Sequence, residues 1–550
     1  MEWWKEKVIY QIYPRSFSDS NGDGIGDFKG ITEKLDYLKE LGIGGIWLSP
    51  HYPSPFLDCG YDVSDFCAVG PEYGTLDDFK DFLQESHKRN IKVILDLVLN
   101  HTSDQHSWFK ESSSSKDNPK RDWYIWKENS GELPNDWQSC FKGPAWTLNE
   151  KTNEYYYHFF LKEQPDLNWR NREVKEAMFN SMRFWLDMGV DGFRIDAITA
   201  IFEEENLTNQ GMTPTEFEEM SKNSDTGDFL QENAWEYYMR HQIKQPELHD
   251  LLRDIRKLTE SYGPDRFLVG ELPDTEYLGD GNDELHMVFN FPLMYEGITK
   301  KAVLKNQNER LPLHIGGSWQ GNTLSNHDQS RIRSKYAGDD MNSPFLKQAA
   351  FLILTLKGTP FLYYGEELGM RNYSPEKVED FKDLKSVNLY HLEIKAGTDK
   401  GKALEIARKD TRDRCRTPMP WNRHGGFNSV GKETWLPMDQ EYKKGINVYD
   451  EELDKDSILN FYKSIINFRN SSKILQYGEY KECFSKDVNL LVFRRILEDE
   501  ILQVVINYST GKVKLENDSN ESFNLVFGNK EDFHNGFVAP GTSIILKVIV

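Results

Sequence analysis

Short, continuously apolar runs alternate with amphipathic ones from the start of the chain. VIYQIYP from Val8, IGGIWLSP from Ile43 and IKVILDLVLNH from Ile91 have the length and β-branched content of buried strands. Between them, ITEKLDYLKELG and DDFKDFLQESHKRN carry apolar residues at i, i+3, i+4 and i+7 and run out at Gly or Asn, as helices with one buried face do. Strands buried on both faces and separated by helices predict a parallel sheet with helices outside it. The rhythm stops near His101. Residues 102–169 are polar and aromatic, with SSSSKDN and many Trp and Tyr, which predicts an inserted subdomain. It resumes with a helix (VKEAMFNSMRFWLDMG), VDGFRID, a long polar segment, a second helix (LHDLLRDIRKLTESYG), RFLVGE, MVFNF, GNTLSNHD and GTPFLYYGEE. Strands are thus expected to start near Val8, Ile43, Ile91, Val190, Arg266, Met287, Gly321 and Gly358. Eight alternating units predict an α/β fold of the (β/α)8 TIM barrel type rather than an open sheet.

A polar segment over 366–447 and a helix (SILNFYKSIINFRN) follow the eighth strand. Beyond about Lys473 the pattern changes to alternating strands such as NLLVFRR, ILQVVINYS and TSIILKVIV. The expected organisation is a barrel over 1–101 and 170–472, a subdomain over 102–169, and a C-terminal antiparallel β-sandwich domain over 473–550.

Composition removes some partners. The net charge of −22 repels phosphate backbones and argues against nucleic acid. Five cysteines at wide spacings, with no CxxC pair, predict free thiols in a reducing compartment. There is no apolar run of 18 residues and no signal-peptide pattern at the N-terminus. The expectation is a cytoplasmic protein without a membrane partner, monomeric or homodimeric.

Chemistry concentrates at the C-terminal ends of the predicted strands, the face on which barrels build their sites. DLVLNH supplies Asp96, Asn100 and His101; GFRID supplies Arg194 and Asp196; GE supplies Glu271; NHD supplies Asn326, His327 and Asp328. A single Asp at a strand end is usually a helix cap. Three carboxylates at three converging strand ends cost stability, so Asp196, Glu271 and Asp328 point to function. A pair of such carboxylates suits glycoside hydrolysis, one attacking the anomeric carbon and one protonating the leaving oxygen. Arg194 shares a strand face with Asp196 and would keep it ionised, while crowding favours a proton on another carboxyl of the group.

DLVLNH, GFRID, GE and NHD in this order, with GIWLSP before and GTPFLYYGEE after, resemble the signatures of glycoside hydrolase family 13, the α-amylase superfamily. QPDLNW, 164–169, resembles the form found in its oligo-1,6-glucosidase and α-glucosidase subfamily. The resemblance implies that Asp196 is the nucleophile of a retaining double displacement, Glu271 the acid/base and Asp328 the transition-state stabiliser. It implies sugar contacts from Arg194, His101 and His327, a stacking platform at Tyr61 of DCGYD, and a pocket wall at Phe160. It also implies that Asp58 pairs with Arg412 of RDRCRTPMPW and closes the pocket, making the enzyme exo-acting. In this subfamily valine after the nucleophile goes with α-1,6 cleavage and alanine or threonine with α-1,4; here the residue is Ala197. The expectation is an α-glucosidase acting on maltose and short malto-oligosaccharides, able to transfer glucose as well as hydrolyse. The long segment 203–233 is expected to crowd the leaving-group side.

Other readings are weaker. An oligo-1,6-glucosidase is the nearest alternative. Sucrose isomerases carry RLDRD after the sixth strand, where this chain reads MVFNFPLMYEG. A trehalose-6-phosphate hydrolase needs a cationic phosphate site, and none is legible. Catalytically dead ancillary subunits lack carboxylates that are all present here.

One motif stands apart. In SDSNGDGIGDFKG, Asp19, Asn21, Asp23 and Asp27 fall at positions 1, 3, 5 and 9 of an EF-hand-like loop, with Gly24 at 6 and the Ile25 carbonyl at 7. Position 12 is Gly30 and the preceding segment is a strand, so this is no calcium sensor. The spacing and the resemblance both imply one structural Ca²⁺ or Mg²⁺ held by Asp19, Asn21, Asp23, Ile25 and Asp27. No organic cofactor is expected.

Overall fold

The structure, a computed structural model, describes residues 2–217, 235–338, 340–428, 433–516 and 521–549. The eight strands read from the pattern form a closed barrel: β1 Ile9–Ile12, β2 Gly45–Leu48, β3 Lys92–Val98, β4 Gly192–Asp196, β5 Phe267–Gly270, β6 Met287–Phe289, β7 Trp319–Asn322 and β8 Thr359–Tyr363. Each strand pairs in parallel with its sequence neighbours, and β1 closes on β8 through Ile9, Tyr10 and Gln11. All are short and almost wholly buried, which is why they read as apolar runs without alternation.

The lumen is filled rather than open. Ile9, Trp47, Ile94, Phe267, Val269, Met287, Phe289 and Phe361 form one buried cluster, and Trp3 and Trp4 plug it at the N-terminal end. A Cβ on Gly321 would stand 3.0 Å from both Met287 and Phe361, so β7 has room only for glycine there. The first helical stretch is two short helices, Phe28–Glu33 and Leu35–Leu41, ending on Gly42 in the left-handed conformation (φ 94°). Helix Leu76–Lys88 begins with a capping box between Thr75 and Asp78.

Two excursions frame the barrel's C-terminal mouth. Residues 102–169 contain a three-stranded antiparallel sheet, Trp126–Glu128, Glu154–Tyr157 and Trp146–Asn149. Its return is stitched to the end of β3 by Leu167 N–H to the Asn100 carbonyl and Trp169 Nε1 to the Leu99 carbonyl. The segment after β8 carries helices Leu384–Lys395 and Lys400–Asp410 and a 3-10 turn, Arg412–Cys415, that points back at the mouth. Of the polar segment expected to crowd the leaving-group side, residues 218–233 lie outside the described residues.

The C-terminal part is a five-stranded antiparallel sheet (Glu479–Glu482, Leu490–Leu497, Glu500–Asn507, Ser543–Ile549, Ser522–Phe527 in spatial order) with a small three-stranded sheet beside it. Leu490, Val505, Ile544 and Leu546 of the first pack with Leu515 and Val538. Two buried arginines tie this part to the barrel: Arg469 donates to the carbonyls of Leu354, Gly358 and Leu475, and Arg495 to those of Thr355 and Gly478. No helix among the described residues is long and apolar enough to cross a membrane.

Candidate active site

The strand ends converge as expected, and Arg194 is their hub. From β4 its Nη1 donates to Asp96 Oδ1 (2.7 Å) on β3 and to Asp196 Oδ1 (2.6 Å), and its Nη2 lies 2.7 Å from Glu271 Oε1 just past β5. Glu271 is tied a second time, by the backbone N–H of Ala197 to its Oε2 (2.9 Å). Ala197 is in the left-handed region (φ 44°), a strained turn for a residue with a Cβ, and the turn is what aims this N–H at Glu271.

Asp328 is held apart from that trio by Arg416, whose Nη2 donates to its Oδ1 (2.6 Å) and whose Nε donates to the His327 carbonyl. His327 joins a buried relay. The Gln11 side-chain nitrogen, which can only donate, sits 2.8 Å from His327 Nδ1, so the ring proton lies on Nε2. Nε2 then donates to Tyr61 Oη (2.5 Å), and Tyr61 donates to Asp96 Oδ2 (3.0 Å). Trp47 Nε1 donates to the same oxygen.

The end of the pocket is closed by charge. Arg412 Nη2 donates to Asp58 Oδ1 (2.6 Å) and to Asp383 Oδ1 (2.6 Å), and its Nε adds a bond to Asp383 Oδ2. Gln164 donates to Asp58 Oδ2 (2.8 Å) and reaches His101 Nε2 (2.9 Å). Asp62 fixes the turn before Asp58 by accepting the Leu57 and Asp58 N–H groups. Phe160 packs edge-on against His101 at 5.1 Å. The cavity, about 300 Å³ and open to solvent, is lined by Asp58, Tyr61, His101, Phe160, Asp196, Ala197, Glu271, Asp328 and Arg412, joined by Phe141. That volume is at the low end of small-molecule sites. Because Arg412 is buried against two carboxylates, Arg412→Met should cost about 3–5 kcal/mol of stability. Urea unfolding checks it; an unchanged midpoint would show that Asp58 and Asp383 are not paired there.

The model of the alpha amylase catalytic domain family matches residues 11–478, from within β1 through the other seven strands of the barrel, and takes in the site residues above. The chain belongs to the alpha-amylase family. Within it, the chain is 40% identical over 533 residues to an oligo-1,6-glucosidase of Bacillus cereus, covering 92% of this chain and 91% of that one. It is 36% identical over 570 residues to an alpha-glucosidase of Schizosaccharomyces pombe, covering 96% and 95%. Among solved structures it resembles a mutant isomaltulose synthase from Erwinia rhapontici in complex with sucrose (TM-score 0.88, 33% identity, 100% of this chain and 99% of that one). It also resembles a trehalose-6-phosphate hydrolase of Bacillus licheniformis (TM-score 0.86, 34% identity, 100% of both chains).

In this family member the electrostatics depart from the simplest sequence expectation. Arg194 does reach Asp196, but one guanidinium is divided among three carboxylates, the buried Asp96 and Asp196 and the half-buried Glu271. Burial raises Asp196 well above the ordinary range, and the charges of Glu271 and Asp96 add to burial against the pull of Arg194. Burial likewise lifts Asp96 to about 6, opposed by Arg194. Crowding around one guanidinium thus works against full ionisation of Asp196 and Asp96. Asp328 behaves oppositely: burial would raise it, but the permanent charges of Arg416 and Arg412 hold it well below the carboxylate range. Burial lowers His327 to about 3 and His101 to about 4, so both rings are neutral hydrogen-bonding groups.

The sequence reading missed several members of this site, Phe141 among them. Gln11 is a polar residue inside an apolar strand and Gln164 opens QPDLNW, so both carried a signal. Asp96 was noted only as a strand-end carboxylate, and Arg416 lay unremarked in RDRCRTPMPW. Asp383, in the long polar segment, carried none.

The Asp19 loop lies away from this cavity, where the Asp19 N–H donates to the Phe427 carbonyl. Its side chains turn onto their own backbone: Asp19 accepts from Gly22 and Gly24 N–H, Asn21 from Asp23, and Asp23 from Ile25. Asp27 caps helix Phe28–Glu33 through Gly30 N–H and also takes both Ser20 donors. Among the described residues no three His, Cys, Asp or Glu side chains gather as a metal cluster.

Proposed function

We propose that this chain is an exo-acting retaining α-glucosidase that releases glucose from the non-reducing end of short α-glucosides. The observation that carries this is the Arg194 hub: it holds Asp196 and Glu271 on one guanidinium at the floor of a pocket that Asp58 and Arg412 close. Bridging by a single guanidinium favours the short carboxyl separation, about 5–5.5 Å, of retaining glycosidases over the ~6.5–9.5 Å of inverting ones.

In this reading glucose enters against Asp58, Arg412 and Gln164, which leave no space for a further sugar beyond its 4-hydroxyl end. Glu271 faces the leaving oxygen as the acid, and Asp196 faces the anomeric carbon as the carboxylate nucleophile. Asp196 attacks the anomeric carbon as Glu271 gives its proton to the leaving oxygen. The bond to the leaving group breaks as the bond to Asp196 forms. Glu271, now ionised, takes a proton from water or from an incoming sugar hydroxyl, and that oxygen displaces Asp196. Asp328, kept ionised by Arg416, accepts hydrogen bonds from the sugar hydroxyls and favours the cationic transition state.

On linkage, Ala197 supports α-1,4 bonds, because its methyl leaves space beside the leaving group. The likeness to oligo-1,6-glucosidases favours a second reading, α-1,6. Trehalose 6-phosphate is less well supported: of the rim cations, Lys385 is paired with Asp410 and Lys409 with Glu405, and Arg414 donates to the Lys409 carbonyl. Initial rates on maltose and isomaltose decide: maltose is expected to be the faster, and isomaltose cleaved faster would reverse the assignment. Five unpaired thiols support a reducing, cytoplasmic setting.

We also propose a structural Ca²⁺ or Mg²⁺ at Asp19, Asn21, Asp23, Asp27 and the Ile25 carbonyl. Every donor there is an oxygen, as hard cations require, and a carboxylate offers about four acceptor sites, more than these backbone bonds use. The ion would brace the loop and take no part in the reaction. EDTA should lower the melting temperature by several degrees while leaving freshly assayed turnover unchanged; an unaltered melt would argue for a metal-free loop.

A further inference from the structure

A second cavity, about 260 Å³, meets the first at Phe160, Ala197 and Glu271. It is not lined by Asp58, Asp196 or Asp328. If Glu271 protonates the glycosidic oxygen with glucose on the Asp196 side, the leaving group lies across Glu271, in this second space. Its size is close to that of the first, so it can take one more sugar ring.

Most of its wall is apolar, including Phe159, Trp235, Leu272 and Phe291. Besides Glu271, Thr199 and Tyr295, its polar lining is a charged group of three. Lys244 Nζ lies 2.6 Å from Glu236 Oε1 and 3.0 Å from Asp274 Oδ1. Asp274 Oδ2 is buried and accepts no hydrogen bond among the described residues. Lys244 sits in the left-handed region at φ 55° and is anchored by its N–H to the Thr199 carbonyl (2.7 Å). A structural ion pair alone explains neither the strained backbone nor the unmatched carboxylate oxygen. An ammonium has three donors, of which two are used here. Lys244 Nζ thus keeps one spare donor and Asp274 Oδ1 spare acceptor capacity, side by side in an apolar wall, the complement of two neighbouring ring hydroxyls.

We propose that Lys244 and Asp274 form a clamp that reads the hydroxyls of a sugar leaving group, with Glu236 positioning Lys244. The enzyme would then favour leaving groups, and acceptors in transfer, that are themselves sugars over aryl or alkyl alcohols. This rests on the glucosidase reading of Glu271. Each protein is assayed on maltose, isomaltose and p-nitrophenyl α-glucoside, whose leaving group has no ring hydroxyls to read. Lys244→Met and the near-isosteric Asp274→Asn should each lower kcat/KM on the cleaved disaccharide about tenfold or more and change the aryl glucoside by less than about twofold. Equal losses on both substrate types in both variants would make the group structural and overturn the clamp, as would undiminished disaccharide cleavage. A wild-type protein inactive on all three substrates would instead overturn the glucosidase reading, and the clamp with it.

Discussion

Asp196→Asn should reduce turnover of every α-glucoside by about 10⁴-fold or more while leaving the protein folded. The amide is isosteric and still accepts the Arg194 hydrogen bond, so geometry is kept and only the nucleophilic charge is lost. Stability should hold or rise, because the substitution removes one of two buried carboxylates that compete, together with Glu271, for a single guanidinium. The pairing of a dead enzyme with an undiminished melting temperature separates chemistry from misfolding. Residual turnover above about one per cent of the wild-type rate, with the substitution verified, would remove Asp196 from the role of nucleophile.

Glu271→Ala should have the next largest effect, and it should depend on the leaving group. General acid catalysis contributes roughly 10²–10⁴-fold. That full loss is expected on maltose, whose leaving oxygen needs a proton, and a much smaller one on p-nitrophenyl α-glucoside, whose leaving group departs as a stable anion. The glycosyl-enzyme formed from the aryl substrate then lacks a base to activate water, so azide should accelerate its turnover and yield α-glucosyl azide. Losses of equal size on both substrates, with no azide product, would mean that Glu271 does not transfer the proton.

Much of this was legible in the chain because the physics involved is local. A strand buried on both faces must be continuously apolar, and all eight barrel strands announced themselves within two residues of their starts. The three carboxylates were legible because Asp196, Glu271 and Asp328 fall at or just past the ends of three converging strands, a coincidence that helix capping does not explain. What stayed hidden depends on distance in the fold. Asp383 meets Arg412 only because the excursion after β8 folds back on the mouth, and nothing in FKDLK declares it. The sharing of Arg194 was hidden for the same reason: a pairwise reading of GFRID sees one carboxylate, whereas the barrel brings three. The Lys244 group lies beside a long polar segment whose sequence has no period to interpret.

The central claim is that Asp196 and Glu271 carry out a double displacement on a terminal α-glucoside. Proton NMR of the first minutes of maltose or isomaltose hydrolysis, before mutarotation, tests it most directly. The account predicts that the glucose released from the non-reducing end appears first as the α-anomer. Glucose appearing first as the β-anomer would contradict it.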